Sequence, residues 1–254
     1  MNEADWRPDV ARLATAEVRG DRVTVRNVRN FRYRSVDDFD ERWEERSYDL
    51  ARLDGLDLFF IWWGAPLIMH TILSWSFDDG QRLAISVEAR KRKDQKYSAW
   101  RAFFRHYTMI YVVADERDVI RLRTNHRREQ VWLYRVRASQ EGARRLLLKY
   151  LEAINAIAEK PLWYNALAAN CTTVVRQRVL DAGGRLPFSW RYFANAYLPQ
   201  YLHRRGIIDA SMPFAELKAV SHINARALHV GEHEEFSARI REGLPAAPLT
   251  RKTT

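Results

Sequence analysis

Cysteine is almost absent from this chain: Cys171 is the only one among 254 residues. A lone thiol cannot form an internal disulfide, and one cysteine cannot build a structural zinc site. The sequence has no H-E-x-x-H motif, no phosphate-binding loop, no dinucleotide-binding glycine motif and no glycine-flanked nucleophilic serine. These absences disfavour metal and nucleotide chemistry, and we expect no cofactor.

Long hydrophobic runs are also missing. No stretch approaches the roughly 18 to 20 consecutive apolar residues of a membrane span. The most apolar segment, residues 56 to 73, contains Asp57 and His70 and is broken by glycine and proline. The first residues lack the basic and then apolar pattern of a signal peptide. As written, the sequence predicts a soluble chain that stays in the cytoplasm, unless an upstream anchor is missing.

Acidic residues are in deficit, with 32 Asp and Glu against 42 Lys and Arg, so the formal net charge is +10. Such a charge attracts anionic partners over long distances. No DNA-binding or RNA-binding motif accompanies it, so we expect no nucleic-acid partner. Nine Trp and eleven Tyr make an anionic membrane surface another interpretation. For most of the arginines, a solvated basic surface is the simpler explanation.

The chain reads as one α+β domain over residues 1–245, followed by a flexible tail over 246–254. The first half favours strands, and Asp78-Asp79-Gly80 is typical of a hairpin turn. Residues 36–47 are charged and predict a loop or a short helix, and residues 98–106 predict another short helix. The second half is mainly helical, with helical periodicity from residue 139 to 160.

Cys171 lies directly before a helix-like run that Gly183-Gly184 ends. If Asn170 caps this helix, the thiol sits where unpaired backbone N–H groups and the helix dipole stabilise a thiolate. A thiolate is the nucleophilic form of cysteine. The alternative is a small buried hydrophobic residue, which is the usual role of a free cysteine.

His70 is the histidine best placed to serve the thiol as a base. It begins an alternating strand on which His70, Ile72, Ser74 and Ser76 share one face. If the hairpin turn has three residues with Gly80 in the left-handed conformation, His70 lies directly opposite Glu88. A two-residue turn would move Glu88 to the other face. The pair either orients the imidazole for catalysis or only stabilises the hairpin, and both interpretations stay open.

Several separate motifs resemble, in order, the Lnb N-terminal periplasmic domain family over about residues 6 to 245. The motifs are Asn27-Val28-Arg29-Asn30-Phe31 with Tyr33, Trp63-Gly64 followed by His70-Thr71, Ser86-Val87-Glu88-Ala89-Arg90, Asp115-Glu116-Arg117-Asp118, Tyr164-Asn165 with Asn170-Cys171-Thr172-Thr173, and Phe236-Ser237 with Ile240-Arg241.

This family is similar to permuted papain-like, NlpC-like enzymes, in which the histidine strand precedes the cysteine helix. The resemblance implies an antiparallel sheet packed on a cysteine-bearing helix, with extra C-terminal helices. It also implies Cys171 as nucleophile, His70 as base and Glu88 as orienting residue. The remaining motif residues are expected to bind substrate or to line an oxyanion hole: Asn170, Thr172, Tyr164 and Arg90.

The function implied is a cysteine-dependent acyl transfer in the bacterial envelope, similar to that of a lipoprotein N-acyltransferase, at the periplasmic face of the inner membrane. The acyl donor would be a phospholipid or a lipoprotein. This chain lacks the transmembrane helices that family members often carry, so two alternatives stay open. One is a papain-like amidase or peptidase, and the other is a non-catalytic domain that binds anionic lipid or an envelope protein.

Overall fold

The computed structural model of the protein describes residues 4–93, 107–164 and 171–250. Strands dominate the first half, as the alternating sequence predicts. They are β1 (Thr15–Arg19), β2 (Arg22–Arg29), β3 (Arg32–Tyr33), β4 (Phe39–Asp40), β5 (Trp43–Asp49), β6 (Leu53–Trp62), β7 (His70–Phe77), β8 (Arg82–Arg90), β9 (Thr108–Ala114) and β10 (Gln130–Arg135).

Helices dominate the second half. The α-helices are α1 (Glu116–Arg121), α2 (Gln140–Glu159), α3 (Cys171–Asp181), α4 (Leu198–Arg204), α5 (Phe214–Ser221), α6 (Asn224–Val230) and α7 (Phe236–Arg239). Single helical turns at Leu122–His126, Trp190–Tyr192 and Asn195–Tyr197 connect some of them. Helix α2 begins at Ser139, whose side chain accepts a hydrogen bond from the Gly142 N–H.

Eight strands form one sheet in the order β1-β2-β9-β8-β7-β6-β10, and β5 pairs with β2 beside this path. Neighbouring strands are antiparallel except β2 and β9, which pair in parallel at Arg29 and Ala114. The fold is therefore α+β with a mostly antiparallel sheet, as predicted. Within the described residues, none of the helices combines the length and apolar character needed to cross a membrane.

Each face of the sheet is covered by a separate apolar cluster, because side chains alternate along a strand. One cluster joins Leu73 and Trp75 of β7 to α2 and to Cys171 at the start of α3. The other joins Ile72 of β7 to α1, α6 and α7. The face carrying the Cys171 helix is called the α3 face below, and the opposite one the α1 face.

Two predictions about local structure are wrong, and one lies outside the described residues. The charged segment 36–47 contains β4 and most of β5 instead of a loop or helix. Strand β5 forms there because it pairs with β2 at the sheet. Its charged side chains form ion pairs, such as Arg46 with Asp115 at 2.7 Å. Residues 246–250 are not a flexible tail, since Leu249 is buried and its N–H bonds to Asp54. The helix predicted over 98–106 falls outside the described residues.

Candidate active site

The β7–β8 hairpin sets the position of His70. The Phe77 N–H donates to the Gln81 carbonyl at 3.1 Å, and Gly80 has φ +88°. This is the three-residue turn that the sequence offered as one of two possibilities. The register continues to Ile72 opposite Ser86, which directs His70 toward Glu88 on the α1 face. The two residues therefore approach each other as the longer turn requires.

A serine lies between the imidazole and the carboxylate. His70 Nε2 is 2.7 Å from Ser86 Oγ, which donates to Glu88 Oε1 at 2.9 Å, whereas His70 Nε2 is 3.8 Å from that oxygen. Arg123, on the turn after α1, donates to Glu88 at 3.0 Å. A series of hydrogen bonds from Ser86 through Glu88 to Arg123 thus holds the Nε2 atom of His70. The Nδ1 atom of His70 has no hydrogen-bond partner among the described residues.

This environment keeps His70 neutral. Burial and the nearby Arg123 guanidinium together lower the pKa of His70 to about 3. Burial alone would raise the pKa of Glu88, but the positive charges around it, first that of Arg123 and then those of Arg29 and Arg127, together outweigh burial and hold that pKa below its usual range. At neutral pH the site therefore contains a neutral imidazole beside a carboxylate whose charge is already balanced by arginine. Sequence reasoning identified neither Ser86 nor Arg123, because both act through the folded hairpin.

The sheet opens beside His70. Pairing between β7 and β8 stops at Ile72 opposite Ser86, although β7 continues beside β6 to His70 and β8 continues beside β9 to Arg90. Backbone groups of a strand point alternately to its two neighbours. The backbone groups of Phe77 point toward β8, since its N–H bonds to Gln81 across the hairpin. Every second residue points the same way, so the backbone N–H and C=O groups of Thr71 and Met69 point into the space that β8 has left. This space is called the β7–β8 gap below.

Cys171 lies at the β7–β8 gap. Its sulfur is 3.9 Å from the Met69 carbonyl, which accepts the thiol proton, and 3.8 Å from Thr172 Oγ1. The backbone N–H groups of Thr71 and Thr172 lie close enough to the sulfur to lower the pKa of the thiol. Helix α3 thus begins beside a stretch of β7 that has lost β8 as its neighbouring strand.

Burial decides the protonation state of this thiol. Cys171 is 7% exposed, and its burial raises the pKa of the thiol, with only partial compensation from the hydrogen bonds of Thr71 and Thr172. The thiolate stabilisation expected from a helix start is therefore outweighed, because desolvation penalises the charged form. No hydrogen bond joins the sulfur to His70: the imidazole projects on the α1 face, and Cys171 packs in the cluster of the α3 face.

Asn195 was missed by sequence reasoning, yet it connects both halves of the site. It is 3% exposed, its Oδ1 accepts the Met69 N–H at 2.5 Å, and its Nδ2 donates to the Met69 carbonyl and to Thr172 Oγ1, each at 2.6 Å. Met69 precedes His70, and Thr172 follows Cys171. The side chain thus replaces β8 as the partner of this stretch of β7. An isolated asparagine in an aromatic segment gives no such signal.

The other predicted site residues divide between this centre and more distant positions. Thr172 lies in the centre, 3.3 Å from Thr71 between their hydroxyl oxygens. Tyr164 is half-buried beside Tyr107, to whose carbonyl its N–H donates. Arg90 is buried, donates to the carbonyls of Val10 and Ala11, and does not reach the thiol. Asn170 lies outside the described residues.

An apolar cavity of about 270 Å³ follows α3 along the α3 face, and Cys171 itself is not among its lining residues. Thr71 and Thr172 line its end near the thiol, and Leu58, Leu73 and Val175 are among its apolar walls. A second cavity of about 400 Å³ lies on the other side of α3, between Thr173 and Leu162. The described residues hold no cluster of side chains suited to a metal ion.

Comparison with known proteins gives one family. Residues 39–196, more than half of the chain, match the family described as the Lnb N-terminal periplasmic domain. His70, Glu88, Cys171 and Asn195 all lie within the matched residues. No curated protein and no solved structure shows a significant match to the chain.

Proposed function

Because the chain belongs to the Lnb N-terminal periplasmic domain family, we propose that it is a cysteine-dependent acyl-transfer enzyme of the bacterial envelope, similar to a lipoprotein N-acyltransferase. Cys171 carries the acyl group as a thioester, and His70 is the base. The observation that carries this proposal is the position of Cys171: the lone thiol lies at the edge of β7, which carries a neutral, oriented imidazole on its other face, and the neighbouring Thr71 and Thr172 line an apolar cavity.

We also propose that the fold has a permuted papain-like connectivity, in which the histidine strand comes before the cysteine helix. Two features support this proposal. His70 begins β7 and Cys171 begins α3, about one hundred residues later, and α3 packs on an antiparallel sheet. In addition, the imidazole uses Nε2 for its orienting partners, so that Nδ1 remains for the thiol.

The chemistry follows from the protonation states. Because burial keeps Cys171 a thiol, His70 Nδ1 must take its proton as the sulfur attacks the carbonyl carbon of the acyl donor. This transfer requires a side-chain rotation that brings the two groups together through the β7–β8 gap. The backbone N–H groups of Thr71 and Thr172, which already point at the sulfur, are suited to bind the oxyanion of the tetrahedral intermediate.

The second half of the reaction returns the proton. As the intermediate collapses, the bond between the carbonyl carbon and the leaving group breaks, and the imidazolium of His70 protonates that group. The acceptor, an amine or water, then loses a proton to His70 and attacks the thioester. The Cys171 sulfur leaves and takes this proton back from His70, which restores the thiol and the neutral imidazole. Ser86 and Glu88 keep the ring oriented during both steps.

The apolar cavity favours a fatty acyl group over a peptide. Its volume of about 270 Å³ is just below the range of ligand pockets, roughly 300–1,000 Å³, and its walls are mostly apolar, with seven Leu and three Val side chains beside four Arg. Each buried methylene contributes about 0.8 kcal/mol, so such a cavity selects for chain length.

The test is intact-mass spectrometry of the purified protein after incubation with a phospholipid or a diacylated lipoprotein. We expect a mass increase of one acyl group that is released by neutral hydroxylamine, as a thioester is, and that is absent from Cys171→Ala. His70→Gln should slow adduct formation by at least about a hundredfold.

Circular dichroism establishes that both variants are folded. Equal acylation of the wild type and Cys171→Ala would refute the proposal. Tight lipid binding without any adduct would instead indicate the non-catalytic binding domain.

A further inference from the structure

The second cavity, on the side of α3 away from the apolar cavity, has no part in the acyl transfer proposed above. Its volume of about 400 Å³ lies within the range of small-molecule sites, roughly 300–1,000 Å³. Strand β9 and helix α3 form two of its walls. Four aromatic side chains line it, and they are those of Tyr111, Phe188, Tyr192 and Phe193. The cavity therefore offers aromatic surfaces to a ligand.

Helix α3 separates this cavity from the apolar one. Val175 and Val179 line the apolar cavity. Val174 and Arg178 line the second one. In each pair the residues are four positions apart and share one side of the helix, so each cavity faces its own side of α3. Val174 follows Cys171 by less than one helical turn. A ligand in the second cavity would therefore lie near the thiol but outside the acyl cavity.

The charges at the second cavity leave one positive charge unmatched. Arg176 and Arg178 line it, and among its described lining residues none is acidic. Arg178 forms an ion pair with Asp181, with 3.1 Å between Nη2 and Oδ2. Arg176 has no ion pair within the described residues, and its Nε donates to the Leu186 carbonyl at 3.1 Å. Two guanidinium groups beside one carboxylate are suited to a ligand with a single negative charge.

Two hydrogen-bond donors at this cavity have no acceptor. The Nε atom of Arg178 is buried and forms no hydrogen bond. Tyr111 is 5% exposed, and its hydroxyl has no hydrogen-bond partner among the described residues. Burial raises the pKa of Tyr111 and the charge of Arg178 partly opposes this, which places the two groups near each other. Buried donors without an acceptor cost free energy, and a carboxylate can accept from both at once.

We propose that the second cavity binds a small organic acid with an aromatic group, whose carboxylate accepts hydrogen bonds from Arg178 and Tyr111. Hydrogen bonds between a guanidinium and a carboxylate are charge-assisted and therefore strong. The aromatic group of the ligand packs against the aromatic walls in the offset or edge-on contacts that such rings prefer. A neutral ligand would leave both donors unpaired. Binding at this site does not depend on the chemistry of Cys171.

Isothermal titration calorimetry of the full chain with 3-phenylpropionate tests this proposal. We expect one bound molecule per chain and at least about tenfold weaker binding of the neutral 3-phenylpropanamide. Arg178→Gln should weaken the binding of 3-phenylpropionate to a similar extent. Tyr111→Phe removes only a hydroxyl without a partner, so the protein should stay folded while its affinity falls by about three- to tenfold.

The controls remove the same groups elsewhere in the molecule. Lys149→Gln breaks an ion pair between residues three apart on α2, as Arg178→Gln does on α3. Tyr33→Phe removes another buried hydroxyl that has no partner. Both should bind like the wild type, and thermal denaturation establishes that all four variants are folded.

Three results would each overturn the proposal: no binding by the wild type, equal affinity for the acid and its amide, or an unchanged affinity in Arg178→Gln. Formation of the acyl adduct on Cys171 is measured without this ligand, so the two proposals fail separately.

Discussion

At the scale of single residues, Asn195 has a double task. Its amide completes the backbone hydrogen bonds of Met69, which β8 would complete in an unbroken sheet, and it also holds Thr172 beside them. A strand that has lost its neighbour is thereby kept extended, and the start of α3 is kept against it. We regard Asn195 as a positioning residue, since it touches neither the sulfur of Cys171 nor the ring of His70.

Asn195→Ala should lower the free energy of unfolding by roughly 2–3 kcal/mol, because it leaves buried backbone groups without partners. It should also accelerate the alkylation of Cys171 by iodoacetamide under native conditions, since α3 is no longer tied to β7. The matched control is Asn224→Ala, because Asn224 binds the backbones of Val131 and Glu129 in the same way, away from the thiol. Equal labelling rates in the two variants would show that Asn195 only stabilises the fold.

The lowered pKa of His70 makes a prediction for stability against pH. In the folded state the pKa is about 3, whereas an unfolded histidine has a pKa of about 6.5. Between these values the unfolded chain binds the additional proton, so this contribution to stability is complete above about pH 6.5 and is lost as the pH falls toward 3. One proton corresponds to a slope of up to about 1.4 kcal/mol per pH unit.

Urea denaturation between pH 5 and pH 6.5, a window chosen to lie above the titration of ordinary carboxylates, measures this slope. The free energy of unfolding of His70→Gln should depend less steeply on pH than that of the wild type. The difference in slope should correspond to the uptake of up to one proton. His233→Gln is the control, because His233 is exposed, with 60% of its side chain accessible. Parallel curves for the wild type and His70→Gln would mean that His70 takes up its proton in the folded state as it does in the unfolded one.

The site could be predicted in part at this scale. His70 and Glu88 were placed together by counting back from a three-residue turn, because strand register is a local consequence of turn geometry. The bridging position of Ser86 between them was not predicted, because register alone does not show which side chains form hydrogen bonds with one another. The raised pKa of Cys171 was not predicted either, because burial depends on elements distant in sequence.

At the scale of elements, periodicity predicted well where one apolar face decides the structure. Helix α2 occupies residues 140–159 of the 139–160 expected, and its buried positions are those of the helical pattern. Strand β5 was missed because its partly buried charged residues do not alternate with apolar ones. Its position depends on β2, which is distant in sequence and offers a free edge. Pairing with an available edge can override a weak local preference.

A buried ion cluster joins the last helices to the sheet. Arg241, just after α7, lies 2.7 Å from Asp57 of β6 and 2.6 Å from Glu116 of α1, and both carboxylates are fully buried. Arg241→Ala should therefore destabilise the protein by about 3–5 kcal/mol, because it leaves two buried negative charges without this partner. Removal of an exposed arginine usually costs less than about 1 kcal/mol.

Arg239→Ala provides that comparison at the last residue of α7, since Arg239 is 47% exposed and pairs with Glu235. Chemical denaturation at neutral pH measures both variants. The deficit of Arg241→Ala should shrink as the pH falls, because protonation neutralises the Glu116 carboxylate, whose pKa Arg241 holds low against the effect of burial. Similar small losses for both variants would mean that water reaches the cluster and that α7 is only weakly attached.

At the scale of the whole molecule, the matched family region is smaller than the folding unit. Residues 39–196 contain the candidate site but lack β2, which joins β5 to β9 in the sheet. They also lack the helices whose Ile223, Phe236 and Ile240 cover the α1 face, each with no exposed surface. Large apolar side chains of this kind contribute about 1.5–3 kcal/mol each when buried. The combined contribution of the three is close to the lower part of the total stability of a domain, about 5–15 kcal/mol.

We therefore predict that a fragment of residues 39–196 does not fold, whereas a chain of residues 4–250 does. The fragment should show no cooperative thermal transition and should be digested by trypsin throughout, because its sheet is interrupted and one face is uncovered. Cys171 in the fragment should react with iodoacetamide as quickly as in urea, since the burial that raises its pKa comes from the complete fold. A cooperative transition in the fragment, with a protected thiol, would show instead that the matched region is an independent domain and that the flanking elements only dock on it.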